Sequence, residues 1–122
     1  MAAENQAIQL NPNDADLFNN RGLAYNDKGQ YDRAIEDLNQ AARLNPELAA
    51  AFYNRGIAYR RKGQYDRAIE DYNQAIQLNP NADAFYNRGV SWELKNDLQR
   101  AFGGFQEVLR IGPVRSGWSK GS

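Results

Sequence analysis

The side chains that could perform chemistry in this chain are of few kinds. Its 122 residues include no histidine and no cysteine, which removes the commonest general base, the commonest metal ligand and every thiolate. Carboxylates remain, but Asp32 and Glu36 recur in register as Asp66 and Glu70, as expected for a solvated helix face. A metal site made of carboxylates alone needs its ligands close together, and no segment concentrates them. The sequence therefore predicts no enzyme activity, no metal and no cofactor.

Charge and hydropathy exclude further classes of function. Fifteen basic and fifteen acidic side chains give a formal net charge of zero, and the two signs are interspersed. A nucleic-acid or anionic-membrane surface would require a basic patch, which is absent. The N-terminus has no basic region of a secretory signal, and no run approaches the ~20 apolar residues of a membrane span. We therefore expect a protein or peptide partner, no nucleic acid, no membrane and a cytoplasmic location.

Internal repetition dominates the sequence. The ten residues Lys28–Asp37 are identical to Lys62–Asp71 and precede them by 34 positions. A third, looser copy follows, and a partial copy begins the chain. The aligned segments are 19–46, 53–80 and 86–113, with 5–13 identical to 73–81. A fixed period of this length indicates stacked copies of one supersecondary unit.

Each copy has the pattern of two helices. In the second copy, Ala49–Arg61 carries apolar residues broadly at helical spacing, and Lys62 with Gly63 supplies helix-ending signals. Gln64–Asn79 then resumes with one broad apolar stripe and ends before Pro80, because the residue before proline avoids the α region. Loops of a few residues favour antiparallel neighbours.

These residues resemble the tetratricopeptide repeat family. The shared landmarks are a small residue in the first helix, an alanine in the second and a closing proline: Gly22, Gly56, Gly89, Ala34, Ala68, Ala101, Pro46, Pro80 and Pro113. The resemblance implies an all-α, right-handed superhelical solenoid of antiparallel helix pairs. Small residues allow close helix approach, and each unit buries its apolar face only by stacking on a neighbour.

The repeat boundaries follow from this alignment. We expect a partial repeat at 1–14 (second helix only), repeats at 15–48 and 49–81, a degenerate repeat at 82–115 and a disordered tail at 116–122. The third repeat is degenerate because Gly103-Gly104 replaces the Glu-Asp of the other copies, and two glycines inside a helix cost about 1 kcal/mol each relative to Ala.

The resemblance also implies a binding surface. In the family, the first helix of each repeat lines a concave groove, where asparagines of the repeated Asn-Arg-Gly triplet can reach a bound peptide backbone. The predicted groove residues are Asn20, Leu23, Tyr53, Asn54, Ile57, Arg60, Arg61, Tyr86, Asn87 and Val90. Asn26 and Asp27 beside them are expected to be solvated surface.

The arginines of the triplet are expected to serve structure. In the resembling repeats an arginine here lies along the helix pair, and Asp37 and Asp71 occupy the matching place opposite Arg21 and Arg55. A planar guanidinium can take a carboxylate through two hydrogen bonds. In the third copy Gly104 replaces the aspartate.

The implied function is a non-catalytic scaffold that binds a peptide segment of a partner in the groove. One family subset grips chaperone tails through basic residues and asparagines; here those places carry Asn19, Leu23, Asp83 and Asn87, and only Asn54 matches, so we do not expect that specificity. The alternative is a self-assembly module, a possible homo-oligomer that associates through its uncapped repeat ends.

Overall fold

The described part of the chain is built from six helices. The computed structural model describes the backbone of residues 2–103 and the side chains of residues 2–99. The helices are α1 (Ala2–Leu10), α2 (Ala15–Asp27), α3 (Tyr31–Leu44), α4 (Ala49–Arg61), α5 (Tyr65–Leu78) and α6 (Ala82–Gly103). No strand occurs among these residues, which confirms the all-α fold class.

Neighbouring helices pack in chain order. The pairs α2 with α3 and α4 with α5 form the first two repeats, and α3 and α2 both contact α4. Helix α1 packs on α2, as the second helix of a preceding repeat would. The chain divides into two compact units, residues 1–92 and 93–122. All side-chain contacts described below lie in the first unit.

The helix ends follow the sequence signals. Gly29 and Gly63, just after α2 and α4, have φ of 77° and 81°, a left-handed conformation that favours glycine and stops each helix before a short loop. The residues that precede the closing prolines, Asn45 and Asn79, are extended, with φ of −140° and −157°. Proline excludes the α conformation from the residue before it, so α3 and α5 end there.

The third copy differs from the prediction of two helices per copy. Helix α6 continues without a break through Asn96, which stands at the position of Gly29 and Gly63. Without a glycine to adopt positive φ, the stop signal is lost and the helix extends. The rest of the predicted third repeat and the predicted tail at 116–122 lie outside the described residues.

The helix pairs close on glycine. A Cβ added to Gly22 would lie 2.7 Å from Leu38 Cγ, and one added to Gly56 would lie 2.7 Å from Tyr72 Cε1. Leu38 and Tyr72 are both fully buried. The predicted reason for a small residue at this position is therefore confirmed in the first two repeats.

Candidate functional site

The asparagine of the second triplet is used inside the fold. Asn54 is only 6% exposed, and its Nδ2 donates to Asn19 Oδ1 at 3.0 Å across the contact between α4 and α2. Its backbone carbonyl accepts from Asn26 Nδ2 at 2.9 Å. Asn26, which was expected to be solvated surface, is likewise 6% exposed. That expectation is wrong, because the neighbouring repeat covers the side chain and supplies its hydrogen-bond acceptor.

The other two asparagines have different surroundings. Asn87 is half-buried, and its Nδ2 donates to the Tyr53 hydroxyl at 3.0 Å and to the Asp83 carbonyl at 2.9 Å. Asn20 is exposed. In both helix contacts, then, an asparagine donates to an oxygen on the preceding first helix of a repeat. The predicted peptide-binding ladder is instead occupied by contacts within the chain at Asn54 and Asn87, and only Asn20 presents its amide fully to solvent.

The arginines of the first two triplets form the predicted ion pairs. Arg21 donates to both carboxylate oxygens of Asp37 at 2.7 and 2.8 Å, and Arg55 does the same to Asp71 at 2.8 and 2.7 Å. Hydrogen bonding to these aspartates raises the pKa of Arg21 and Arg55. Burial raises the pKa of Asp71, while its hydrogen bonds to Arg55 act in the opposite direction. The prediction that these arginines serve structure is confirmed.

Each of these arginines also reaches the preceding repeat. Arg21 Nη1 donates to Asn5 Oδ1, and Arg55 Nη1 donates to Asn39 Oδ1, both at 2.9 Å. The guanidinium carbon of Arg55 lies 5.3 Å from the centroid of the Phe52 ring, within the range of a cation–π contact. One side chain thus joins both helices of its own repeat to the second helix of the repeat before.

The third arginine keeps part of this arrangement. Arg88 Nη1 donates to Asn73 Oδ1 at 2.8 Å, and its guanidinium carbon lies 5.2 Å and 4.9 Å from the ring centroids of Phe85 and Trp92. Its Nε is buried and finds no acceptor within the described range. Gly104, which stands where the other copies have aspartate, lies outside that range.

Most other predicted groove residues lie on accessible parts of the first helices. Leu23, Ile57 and Val90 occupy the same position in successive repeats and are exposed or half-buried. Tyr86 is 71% exposed, and Arg61 is also exposed. These side chains form an apolar row with an aromatic and a basic neighbour, a composition found at protein interfaces.

The remaining predicted groove residues, Tyr53 and Arg60, belong to a polar cluster that also includes Tyr72. The Tyr53 and Tyr72 rings have centroids 5.9 Å apart. Burial raises the pKa of both tyrosines, and the Arg60 guanidinium acts in the opposite direction on each. The Tyr72 hydroxyl and Arg60 Nε are buried without a hydrogen-bond partner in the described part of the chain.

Sequence reasoning missed Tyr72, which was assigned to packing alone. Its equivalent in the first repeat is Leu38, and both side chains are fully buried. The available signal was the change from an apolar residue to one with a hydroxyl at a core position, because a buried hydroxyl needs a partner.

The surface also has shallow concavities. One of about 490 Å³ lies between α1 and α2 and is lined by Asn20 and Leu23, among others. A smaller one of about 160 Å³ is bordered by Tyr53 and Asp83 at the start of α4 and α6. Within the described residues there is no group of three or more side chains that could hold a metal ion. None of the helices there is long and apolar enough to cross a membrane.

Comparison with known proteins identifies the family. Sequence profiles described as tetratricopeptide repeat match residues 4–36 and 49–81, and one described as TPR repeat matches residues 22–63. The chain belongs to the tetratricopeptide repeat family. No curated protein matches it significantly by sequence.

Solved structures agree on the fold. The Arabidopsis OM64 TPR domain is 26% identical with a TM-score of 0.70, over 72% of this chain and 74% of that one. The second TPR domain of human RPAP3, solved in complex with an HSP70 peptide, is 28% identical with a TM-score of 0.68, again over 72% of this chain and 74% of that one. The TPR protein YrrB, 24% identical over 90% of this chain and 57% of that one, has a TM-score of 0.73 and supports the fold alone. This chain is therefore an all-α TPR solenoid, a class generally used for protein interaction rather than catalysis.

Proposed function

We propose that this chain is a non-catalytic scaffold that binds a peptide segment of a partner protein along the first helices of its repeats. The observation that carries the proposal is the accessible row of Leu23, Ile57 and Val90 with Tyr86 and Arg61 beside it. Apolar anchors next to aromatic and basic side chains are the usual determinants of peptide affinity. The RPAP3 domain, a relative by structure, was solved with a bound peptide.

The proposal assigns different roles to the predicted residues. The exposed Asn20 and the apolar row contact the peptide directly, while Asn54 and Asn87 hold neighbouring helices in register. The balanced charge favours a protein partner over nucleic acid or a membrane. The cytoplasmic location expected from the sequence stays a prediction.

A displayed peptide library selected on the full chain tests this function. The triple variant Leu23→Ser, Arg61→Ser, Tyr86→Ala changes only exposed side chains, so it should fold normally and bind the selected peptides at least tenfold more weakly. The matched control changes three exposed residues of the second helices to alanine, namely Glu36, Glu70 and Gln77. Peptides that bind both triple variants equally well would contradict the proposal.

A second candidate, self-assembly, is favoured by one observation. The two helix contacts within the chain each join an asparagine to an oxygen on the preceding first helix, Asn54 to Asn19 and Asn87 to Tyr53. The matching groups Asn20 and Tyr86 are exposed. A head-to-tail contact between two copies would pair the Asn20 amide with the Tyr86 hydroxyl.

Sedimentation velocity over a range of protein concentrations separates the two candidates. Self-assembly predicts an average mass that rises with concentration and falls to the monomer value in Asn20→Ala. A constant monomer mass at high micromolar concentration would exclude it and leave peptide binding unaffected.

A further inference from the structure

The middle of the predicted groove carries three hydrogen-bond donors with no acceptor for them. Tyr53 and Arg60 are seven residues apart on α4 and therefore lie on the same helix face, two turns apart. The Tyr72 ring packs against Gly56 between them, with Cε1 2.7 Å from where a glycine Cβ would be. All three polar groups thus converge on one stretch of α4.

Hydrogen-bond accounting shows what the cluster lacks. The Tyr53 oxygen accepts from Asn87 Nδ2 at 3.0 Å, which leaves its own proton to donate. The Tyr72 hydroxyl and Arg60 Nε are buried and have no partner in the described part of the chain. A guanidinium is a donor only, so the three side chains cannot satisfy one another fully. A group with acceptor oxygens would complete the cluster.

The charge on Arg60 is also uncompensated. Arg21 and Arg55 each have an aspartate within 2.8 Å, which shows how this chain neutralises its other half-buried arginines. The ion pairs within the described residues do not include Arg60. Asp83 acts on the Tyr53 hydroxyl and raises its pKa, but it forms no ion pair with Arg60. Because Arg60 is half-buried, part of its guanidinium remains open to a ligand.

The first repeat shows that packing does not require these groups. The residues equivalent to Tyr53, Arg60 and Tyr72 are Asn19, Asn26 and Leu38. Leu38 fills the same space beside Gly22 and is fully buried, as Tyr72 is beside Gly56. The second repeat therefore adds two hydroxyls and a positive charge at positions where the fold closes without them.

We propose that Tyr53, Arg60 and Tyr72 form a subsite for one carboxylate of the bound peptide. The inference rests on the proposed function and specifies its ligand chemistry. Arg60 supplies the charge and the first contact, the Tyr53 hydroxyl donates a second hydrogen bond, and Tyr72 lies behind the guanidinium as the third donor. Hydrogen bonds to a charged acceptor are stronger than neutral ones, so this subsite favours an acidic side chain or a chain terminus over an amide.

Small probes test the subsite on the full chain without a known partner. N-acetyl-glutamate amide presents a side-chain carboxylate, N-acetyl-alanine presents a terminal carboxylate, and N-acetyl-glutamine amide is the neutral isostere of the first. The ¹⁵N–¹H signal of Arg60 Nε, assigned by its loss in Arg60→Gln, reports binding, and its burial slows exchange with water. We expect saturable shifts with both carboxylates and none with the glutamine compound. The tighter of the two carboxylates identifies whether the subsite takes a side chain or a terminus.

Variants then separate the subsite from general attraction between charges. Tyr72→Phe removes only the hydroxyl and should weaken glutamate binding about three- to tenfold, as detected by the Arg60 signal. Arg43→Gln, which removes an equal charge from an exposed position at the end of α3, should leave the affinity unchanged. Equal effects of Tyr72→Phe and Arg43→Gln, or equal shifts with the glutamate and glutamine compounds, would overturn the proposal.

The outcome is distinguishable from failure of the proposed function. If library peptides bind the chain and lose affinity in the groove triple variant, but bind Arg60→Gln as tightly as the unchanged chain, the groove is correct and the carboxylate subsite is wrong. If no library peptide binds but the carboxylate probes do, the subsite stands and peptide binding does not.

Discussion

The ion pair between Arg55 and Asp71 gives the sharpest test of what holds the repeats together. Asp71 is 5% exposed and accepts two hydrogen bonds from Arg55 at 2.7 and 2.8 Å. Replacing it with alanine removes both bonds and leaves a half-buried guanidinium without its counter-charge. Breaking a fully buried pair in this way costs roughly 3–5 kcal/mol. The Arg55 side chain is 21% exposed, so water offsets part of the loss and we expect about 2–3 kcal/mol for Asp71→Ala.

Urea unfolding followed by circular dichroism measures this cost, with Asp66→Ala as the matched control. Asp66 is exposed on the same helix, and surface substitutions usually change stability by about 0.5 kcal/mol or less. A double-mutant cycle with Arg55→Met isolates the coupling between the two side chains and should return at least about 1 kcal/mol. If Asp71→Ala and Asp66→Ala unfold at the same urea concentration, the structural role of the arginines is refuted.

Two further pairs of variants test other contacts by the same unfolding assay. Gly56→Ala should destabilise the chain by about 1–3 kcal/mol, because its Cβ would overlap the buried Tyr72 ring, at 2.7 Å from Cε1. Gly89→Ala, whose Cβ would meet nothing within 4 Å, should instead stabilise α6 by up to about 1 kcal/mol, and equal losses in both would contradict the close-packing account. Asn54→Ala should cost about 1–2 kcal/mol because it leaves a neighbour unpaired in a buried contact. Asn20→Ala should be nearly neutral, and a comparable cost there would show that exposure does not separate the two roles.

The sequence by itself determined the repeat, the helix pairs and the arginine pairing. Positions 34 residues apart carry the same side chains, so the contacts of one repeat recur in the next, and Arg21 and Arg55 each precede their aspartate by 16 positions. Glycine after α2 and proline after α3 act through local backbone conformation, which is why the ends of these helices could be predicted from neighbouring residues alone.

Only the tertiary structure decided which of the repeated side chains are available to a partner. Asn20 and Asn54 belong to the same triplet, yet the first is exposed and the second is 6% exposed. Burial depends on the helix that packs against each copy, and sequence periodicity is blind to that neighbour. The unsatisfied Tyr72 hydroxyl has the same origin. Its position is fixed by packing on Gly56, and the lack of an acceptor depends on every element around it.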